Sequence, residues 1–217
     1  VIAGPKARDV LSSAARGDWS DEAFKWLAVR EAHVGIAPAV VMRVSFSGEL
    51  AYEIHVPNQS LMAAYTALRN AGETHGMSFF GSRAVEAMRL EMGFMHWKSE
   101  LITEFSPYET GLERFVMMDK AFIGKEALIA HEPKVQLVSL TLETKEAPAH
   151  GGASVMLDGR VVGTVTTGAW GHRVGANIAL AFVERGLAQE GQSLSVDVLG
   201  KVVQATVAPM RRLEGAH

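Results

Sequence analysis

Several stretches after residue 135 have the composition and spacing of short β-strands. They are VQLVSLTL, ASVMLDGRVVGTVTTG, NIALAFV and LSVDVLGKVVQATVAP. Asp158-Gly159 is a strong signal for a tight two-residue turn, and Leu199-Gly200-Lys201 is a weaker one. Short apolar runs separated by such turns predict an all-β domain, either an antiparallel barrel or a sandwich. We expect it to begin near Glu132-Pro133-Lys134.

The first part of the chain mixes helix and strand patterns. Residues 5–15 and 21–28 have helical spacing, whereas residues 40–56 alternate as a hairpin that turns at Ser47-Gly48-Glu49. Asn58 is placed to cap a following helix through its side-chain oxygen. The predicted buried stripe of that helix consists of Leu61, Met62, Tyr65 and Leu68. The fold class predicted for the chain is therefore α+β.

The stretch RAVEAMRLEMG, residues 83 to 93, is a predicted helix with an acid in its apolar face. At about 100° per residue, Glu91 falls near the middle of the apolar arc, while Glu86 and Arg89 lie opposite. The arc itself is formed by Ala84, Val85, Ala87, Met88, Leu90 and Met92. A buried carboxylate without a partner is costly or takes up a proton, so Glu91 needs a partner.

Two kinds of partner for Glu91 remain open at the level of sequence. A structural partner would be a nearby cation such as Arg83 or Lys98. A functional partner would be a ligand with adjacent N–H donors, such as an amino-pyrimidine edge, from which a carboxylate accepts two hydrogen bonds. The residues alone do not choose between these hypotheses.

Composition and spacing exclude several other classes of function. The net charge is −3 with no basic stripe, so nucleic acid is not an expected partner. No run of about 18 apolar residues occurs, so no membrane span is predicted. The chain has no cysteine, and its eight histidines never take the HxxxH or HExxH spacing, so no metal site is predicted. The cytoplasm is the default expectation for location.

Other candidate site residues are weaker, because each also fits an ordinary role. His96 is a candidate acid or base, no Ser-His-Asp set is apparent, and the catalytic residues stay unknown. The segment TTGAWGHRVGAN is interpreted as a β-loop from which Trp170 or Arg173 reaches a neighbouring domain or a ligand. The rings that either wall a flat ligand or fill the core are Phe46, Tyr52, Phe94, Trp97, Phe105 and Tyr108.

Six segments in order resemble the glycine cleavage T-protein (aminomethyltransferase) family. They are GPKARDVL at 4–11, SFSGELAYEI at 45–54, GSRAVEAMRLEMG at 81–93, ELITEFSPYETGLERFV at 100–116, FIGKEAL at 122–128, and GTVTTGAW with NIALAFV within 163–183. The chain is more similar still to the C-terminal folate-binding portion of dimethylglycine and sarcosine dehydrogenase-like proteins. The resemblance covers nearly the whole chain.

The resemblance implies a T-protein-like fold, with a ferredoxin-like α/β portion followed by a C-terminal antiparallel β-barrel or sandwich. The implied domains are a remnant of a truncated N-terminal α+β subdomain at 1–33, an α+β folate-binding subdomain at 34–132, and a β-barrel domain at 133–217. The sequence would then begin inside a larger protein, with an FAD-dependent amine-oxidising domain upstream as its partner.

The resemblance also implies a tetrahydrofolate-binding module that transfers an aminomethyl or methylene unit. Glu91 matches the acid that accepts hydrogen bonds from the pterin ring, and Phe46, Tyr52 and Trp97 are candidate walls. The family's catalytic Asp belongs to a segment upstream of the residues present, so whether this chain is itself an enzyme stays open.

Two alternatives accompany this interpretation. The first is a non-catalytic binding or assembly domain with the same fold, which predicts that Glu91 is paired internally. The second is a folate-dependent demethylase of another methylated substrate. A branch of the family that assists iron–sulfur cluster assembly carries a cysteine where this chain has Ala121, which disfavours that role.

Overall fold

The computed structural model describes residues 1–213, which form two compact units, Val1–Met88 and Arg89–Leu213. The mixed α+β class with a C-terminal barrel is confirmed. The last four residues of the domain predicted at 133–217 lie outside the described residues. The domain boundaries predicted after residues 33 and 132 stay predictions.

The first unit packs two helices against an antiparallel sheet. The sheet has the order β1-β4-β3-β2, and its strands are β1 (Ile2–Ala3), β2 (Val29–Val34), β3 (Ala37–Met42) and β4 (Ala51–His55). The helices are α1 (Ala7–Ala14) and α2 (Leu61–Glu73). Alternate residues of β3 are buried, which gives the sheet one core face. Side chains in this core include Leu11, Trp19, Phe24, Val34, Val41 and Tyr52.

Some of the local predictions for this unit are confirmed and others are wrong. The helix predicted at 5–15 is present as α1, and β3 pairs with β4 as predicted, but their connection is longer than the expected three-residue turn. Residues 21–28 form turns rather than a helix. There the buried Phe24 ring lies in the core, and the guanidinium of Arg43 donates to the Phe24 carbonyl at 2.9 Å. The Phe24 carbonyl, which would accept a backbone hydrogen bond in a helix, accepts one from the Arg43 side chain instead.

The stripe predicted to be buried on helix α2 is only partly correct. Leu68 packs against the core as predicted, but Leu61, Met62 and Tyr65 are exposed and Ala64 is buried instead. A Cβ atom placed on Gly35 would lie 2.9 Å from the Cβ of Ala67, so the β2–β3 turn approaches the helix too closely for large side chains. Leu61 and Tyr65 instead line a cavity of about 600 Å³ within the unit.

The start of α2 also differs from the prediction. Asn58 begins a short 3-10 turn, Asn58–Ser60, which leads into the helix, and Ser60 occupies the position before the first helical residue. No side-chain capping hydrogen bond is made there within the described residues. The capping role predicted for Asn58 is therefore wrong.

The second unit is built on a closed antiparallel barrel, so the barrel rather than the sandwich is the correct alternative. Its strand order within residues 1–213 is β10-β5-β8-β7-β6-β9. The strands are β5 (Val135–Leu142), β6 (Ser154–Leu157), β7 (Arg160–Gly171), β8 (Ala176–Glu184), β9 (Ser193–Val198) and β10 (Lys201–Ala208). The interior is filled by side chains such as Val138, Leu140, Val155, Val165, Leu194 and Val196.

Two further helices and two short 3-10 turns lie between the strands already named. Helix α3 (Ser82–Glu91) leads into the second unit, and α4 (Lys125–Ala130) precedes the barrel. The 3-10 turns are Glu113–Phe115 and Arg185–Leu187.

Both turns predicted in the barrel are two-residue hairpin turns. Asp158 and Gly159 have φ values of 50° and 79°, and Leu199 and Gly200 have 56° and 84°. They close the pairs Leu157–Arg160 and Val198–Lys201. Positive φ at both central positions suits the twist of a hairpin, but it is unfavourable for a leucine, which carries a Cβ.

These two turns allow a reciprocal test of turn chemistry. Leu199→Asn is expected to raise the free energy of unfolding by about 0.5–1 kcal/mol, because Asn tolerates the left-handed conformation better than Leu. Asp158→Leu is expected to lower it by about the same amount. Urea unfolding followed by circular dichroism measures both. Equal stability of the two variants would contradict the prediction.

Candidate functional site

The last turn of α3 is buried on every side. Arg89, Leu90 and Glu91 are each at most 1% exposed. The predicted burial of Glu91 is therefore confirmed, while the placement of Arg89 on an opposite polar face is wrong. The segment that contains Met210 and Arg212 packs against this end of the helix. The backbone N–H of Arg212 donates to the Glu91 carbonyl at 2.9 Å, and a Cβ on Gly93 would lie 2.5 Å from the Met210 carbonyl oxygen.

The carboxylate of Glu91 is bound by the turn between β7 and β8. The backbone N–H of Arg173 donates to Oε1 at 2.7 Å, and Arg173 Nε donates to Oε2 at 2.6 Å. The backbone N–H of Val174 lies 3.4 Å from Oε1. The partners suggested from sequence, Arg83 and Lys98, are exposed instead, so that part of the structural hypothesis is wrong.

A second buried carboxylate, Glu100, lies in the same unit and was not identified from the sequence. Arg89 Nη1 donates to its Oε2 at 3.3 Å, and the His96 backbone N–H donates to the same oxygen at 2.7 Å. The hydroxyls of Thr166 and Thr167 donate to Oε1 at 2.6 and 2.8 Å. Glu100 thus joins the end of α3, the loop after it and strand β7.

The geometry of strand β7 explains how two consecutive threonines reach one oxygen. Side chains of neighbouring residues in a regular strand point to opposite faces. The pairing of β7 with β8 shifts register between Val165 and Thr167, which is a bulge. A bulge re-aims the side chain at the extra residue, here Thr166, so that its hydroxyl and that of Thr167 both reach Glu100.

Trp97 lies on the loop that Glu100 holds. Trp97 is 74% exposed, and its backbone forms an isolated β-bridge with Leu101. Lys98 has a φ of 71°, which bends the loop at its tip. The ring of His96 lies 3.5 Å from the Ser99 hydroxyl, measured at Nδ1. The loop therefore presents a flat aromatic ring to solvent in the same unit as Glu91.

Phe46 and Tyr52 lie in the first unit, Val1–Met88. The Tyr52 ring is fully buried, stacks on Phe24 with 6.1 Å between ring centroids, and accepts a hydrogen bond from Arg8 Nε at 3.3 Å. Phe46 is half-buried. Their roles as walls of a ligand site stay predictions.

Arg8 contacts both the buried Tyr52 hydroxyl and an exposed carboxylate of the first unit. Its Nη2 lies 2.5 Å from the carboxylate of Asp21, and Arg43 Nη2 lies 2.6 Å from the same oxygen. The hydrogen bond from Arg8, together with the two positive charges, lowers the pKa of Asp21. This cluster keeps the Tyr52 hydroxyl oriented towards a fixed donor.

Among residues 1–213, no helix is both long and apolar enough to cross a membrane. Within the same residues, no three acidic, histidine or cysteine side chains come together as a metal-binding group would.

Family models match both parts of this architecture. The model described as GCVT N-terminal domain matches residues 1–120, and the model described as Glycine cleavage T-protein C-terminal barrel domain matches residues 136–212. The structure of glycine cleavage system aminomethyltransferase T from Bartonella henselae superposes with a TM-score of 0.84 at 24% identity, over 98% of this chain and 58% of that one. At that identity the likeness shows the fold alone.

Curated relatives share more of the sequence. The mitochondrial dimethylglycine dehydrogenase of Homo sapiens is 37% identical over 211 residues, which are 95% of this chain and 24% of the relative. An aminomethyltransferase of Saccharopolyspora erythraea is 32% identical over 215 residues, which are 97% of this chain and 58% of that protein. The chain thus spans about a quarter of the first relative and somewhat over half of the second.

Removal of the buried Glu100 charge tests whether this network holds the site together. Glu100→Gln is expected to lower the free energy of unfolding by about 3–5 kcal/mol, because it neutralises one member of the buried Arg89–Glu100 ion pair. Glu146→Gln is the matched control, since Glu146 and its partner Lys201 are both exposed. We expect the control to change stability by less than about 1 kcal/mol. Urea unfolding measures both, and similar losses in the two variants would contradict the prediction.

Proposed function

The chain belongs to the glycine cleavage T-protein family as an aminomethyltransferase-type domain, and on this premise we propose that it binds tetrahydrofolate and takes part in one-carbon transfer. In this proposal it is the C-terminal folate-binding part of a larger dimethylglycine or sarcosine dehydrogenase-like protein. Its similarity to a dimethylglycine dehydrogenase and to an aminomethyltransferase supports that choice.

The observation that carries the proposal is the position of Glu91. It is a buried carboxylate at the end of a helix, and one of its oxygens is bonded to a side chain that is partly exposed to solvent. The pyrimidine edge of a pterin presents adjacent N–H donors, which match the two oxygens of a carboxylate. An acid at this depth fixes the orientation of such a ring because water competes weakly for it.

The residues around Glu91 support the same use. Glu100 fixes both the last turn of α3 and the loop that carries Trp97, so the acid and the ring are held on one braced segment. An exposed indole offers a face on which a flat heterocycle stacks. Preorganised side chains of this kind lower the cost of ordering a ligand.

The bound cofactor would supply the nitrogen that receives the one-carbon unit. The contribution of this chain would be to hold the pterin edge through Glu91 and to cover one ring face with Trp97. No residue of the chain is assigned the role of moving a proton. The upstream FAD-dependent domain and the cytoplasmic location also stay predictions, and the human relative is mitochondrial by name.

A second candidate function is a binding or assembly domain that needs no folate. The internal ion pair between Glu91 and Arg173 favours it, since such a pair is what a purely structural acid would make. The two functions differ in what happens to Glu91 when a pterin is added.

Titration calorimetry of the chain with tetrahydrofolate separates the two. Glu91→Gln is expected to weaken binding by at least about tenfold, because it replaces a charged acceptor by an amide whose N–H₂ faces the donors of the pterin. Lumazine, in which the 2-amino group of pterin is replaced by an oxygen, is expected to bind much more weakly than pterin to the wild-type chain.

Glu113→Gln is the control for this titration. Glu113 is exposed in the short 3-10 turn of the same unit, so its charge is removed without touching the site. We expect it to bind tetrahydrofolate as the wild type does. Unchanged binding in Glu91→Gln, or equal affinity for pterin and lumazine, would rule out Glu91 as the anchor and leave the assembly function as the better account.

A further inference from the structure

The side chain of Arg173 and the backbone around it bind Glu91 in different ways. Oε1 accepts from the backbone N–H groups of Arg173 and Val174, which are part of the β7–β8 turn. Oε2 accepts from Arg173 Nε at 2.6 Å. One carboxylate oxygen is therefore held by the main chain and the other by a side chain that has rotatable bonds.

The main-chain part of this contact cannot easily move. Gly171 lies so close to the site that a Cβ atom there would be 3.2 Å from Cγ of Glu91 and 2.7 Å from Cδ1 of Ile178. The Gly175 N–H donates to the Gly171 carbonyl at 2.7 Å and closes the turn. The turn is thus packed directly on the acid, and its two backbone donors are fixed in place.

The side-chain part of the contact can move. The Arg173 side chain is 34% exposed, whereas that of Glu91 is 1% exposed. The partner of Oε2 is therefore a side chain that reaches solvent, although the carboxylate itself does not. Rotation about the Arg173 side-chain torsions, which occurs rapidly in exposed residues, would free Oε2 without any change in the backbone.

The guanidinium of Arg173 carries the same kind of hydrogen-bond donors as the proposed ligand edge. The 2-amino-4-oxopyrimidine ring of a pterin contains a carbon bonded to three nitrogens, two of which carry N–H groups pointing to the same side. A guanidinium has the same arrangement of carbon and nitrogens. Arg173 Nε thus places on Oε2 the kind of donor that a pterin would place there.

We infer that Arg173 is an internal stand-in for the pterin edge, so that tetrahydrofolate binds Glu91 by displacing the Arg173 side chain from Oε2. This inference rests on the proposed function of Glu91. Arg173 then sets both specificity and affinity. A ligand must offer N–H donors at least as good as those of a guanidinium. The apparent affinity equals the intrinsic affinity multiplied by the fraction of molecules in which Arg173 has left Oε2.

Removal of the competing donor tests the inference. Arg173→Met keeps much of the aliphatic stem and removes the N–H groups, and we expect it to bind tetrahydrofolate about tenfold more tightly than the wild type in calorimetry. Added guanidinium chloride at millimolar concentration should weaken binding to this variant more than sodium chloride at equal ionic strength. Arg173→Gln, which keeps a polar side chain, provides a second variant and should show a smaller gain.

Arg160→Met is the matched control. Arg160 lies at the start of β7, and its guanidinium pairs with the exposed carboxylate of Glu184. Its replacement removes an arginine from the same strand at a surface position, and we expect tetrahydrofolate affinity to stay at the wild-type value. Circular dichroism of each variant checks that the fold is retained.

The position of the side chain can be followed directly by nitrogen-15 NMR. The Nε–H signal of Arg173, identified by its absence from the Arg173→Met spectrum, should exchange slowly with water in the ligand-free chain. It should exchange faster when tetrahydrofolate saturates the site, because the guanidinium has then left Oε2. Slow exchange that persists at saturation would overturn the inference.

The outcomes separate this inference from the proposed function. Tighter binding by Arg173→Met, or binding by that variant alone, supports displacement. Unchanged or weaker binding by Arg173→Met and Arg173→Gln, together with loss of binding in Glu91→Gln, overturns the stand-in role and leaves the Glu91 anchor intact. Absence of binding in the wild type and in both Arg173 variants overturns both.

Discussion

The second unit depends on the hydrogen bonds that two buried carboxylates accept from donors inside the protein. Glu91 and Glu100 both lie out of contact with water, and each must find donors inside the protein or be neutralised. Both find them on the barrel, Glu91 in the β7–β8 turn and Glu100 on β7 itself. Buried pairs add little net stability compared with apolar packing, but they restrict the arrangements in which a helix end can dock.

Strand β7 is adapted to make these two contacts possible. Its bulge turns two consecutive hydroxyls towards Glu100, and at its last glycine a Cβ atom would come within 3.2 Å of Glu91 Cγ. Gly168 has a related role, since a Cβ there would collide with the carbonyl oxygen of Ala149. The bulge and the two glycines thus let other parts of the chain pack closely against β7.

The sequence predicts those features that local chemistry decides. The strand-forming stretches after residue 135 and the Asp158-Gly159 turn follow from short-range patterns, and the burial of Glu91 follows from helical periodicity. The exposed face of α2 and the buried Arg89 do not follow, because each depends on which partner packs against the helix. An amphipathic pattern says that one face is buried but not how close the neighbour comes.

The partners of the two acids could not be predicted from the sequence for a related reason. Glu91 meets Arg173 at a separation of 82 residues, and Glu100 meets Thr166 at a separation of 66. These large sequence separations also bear on the order in which the parts of the second unit fold. Contacts between distant residues carry a large loop-closure cost, whereas the hairpins of the barrel are local. We therefore expect the hairpin of β7 and β8 to form early, with the end of α3 gaining its polar partners late, after a docking surface for it exists.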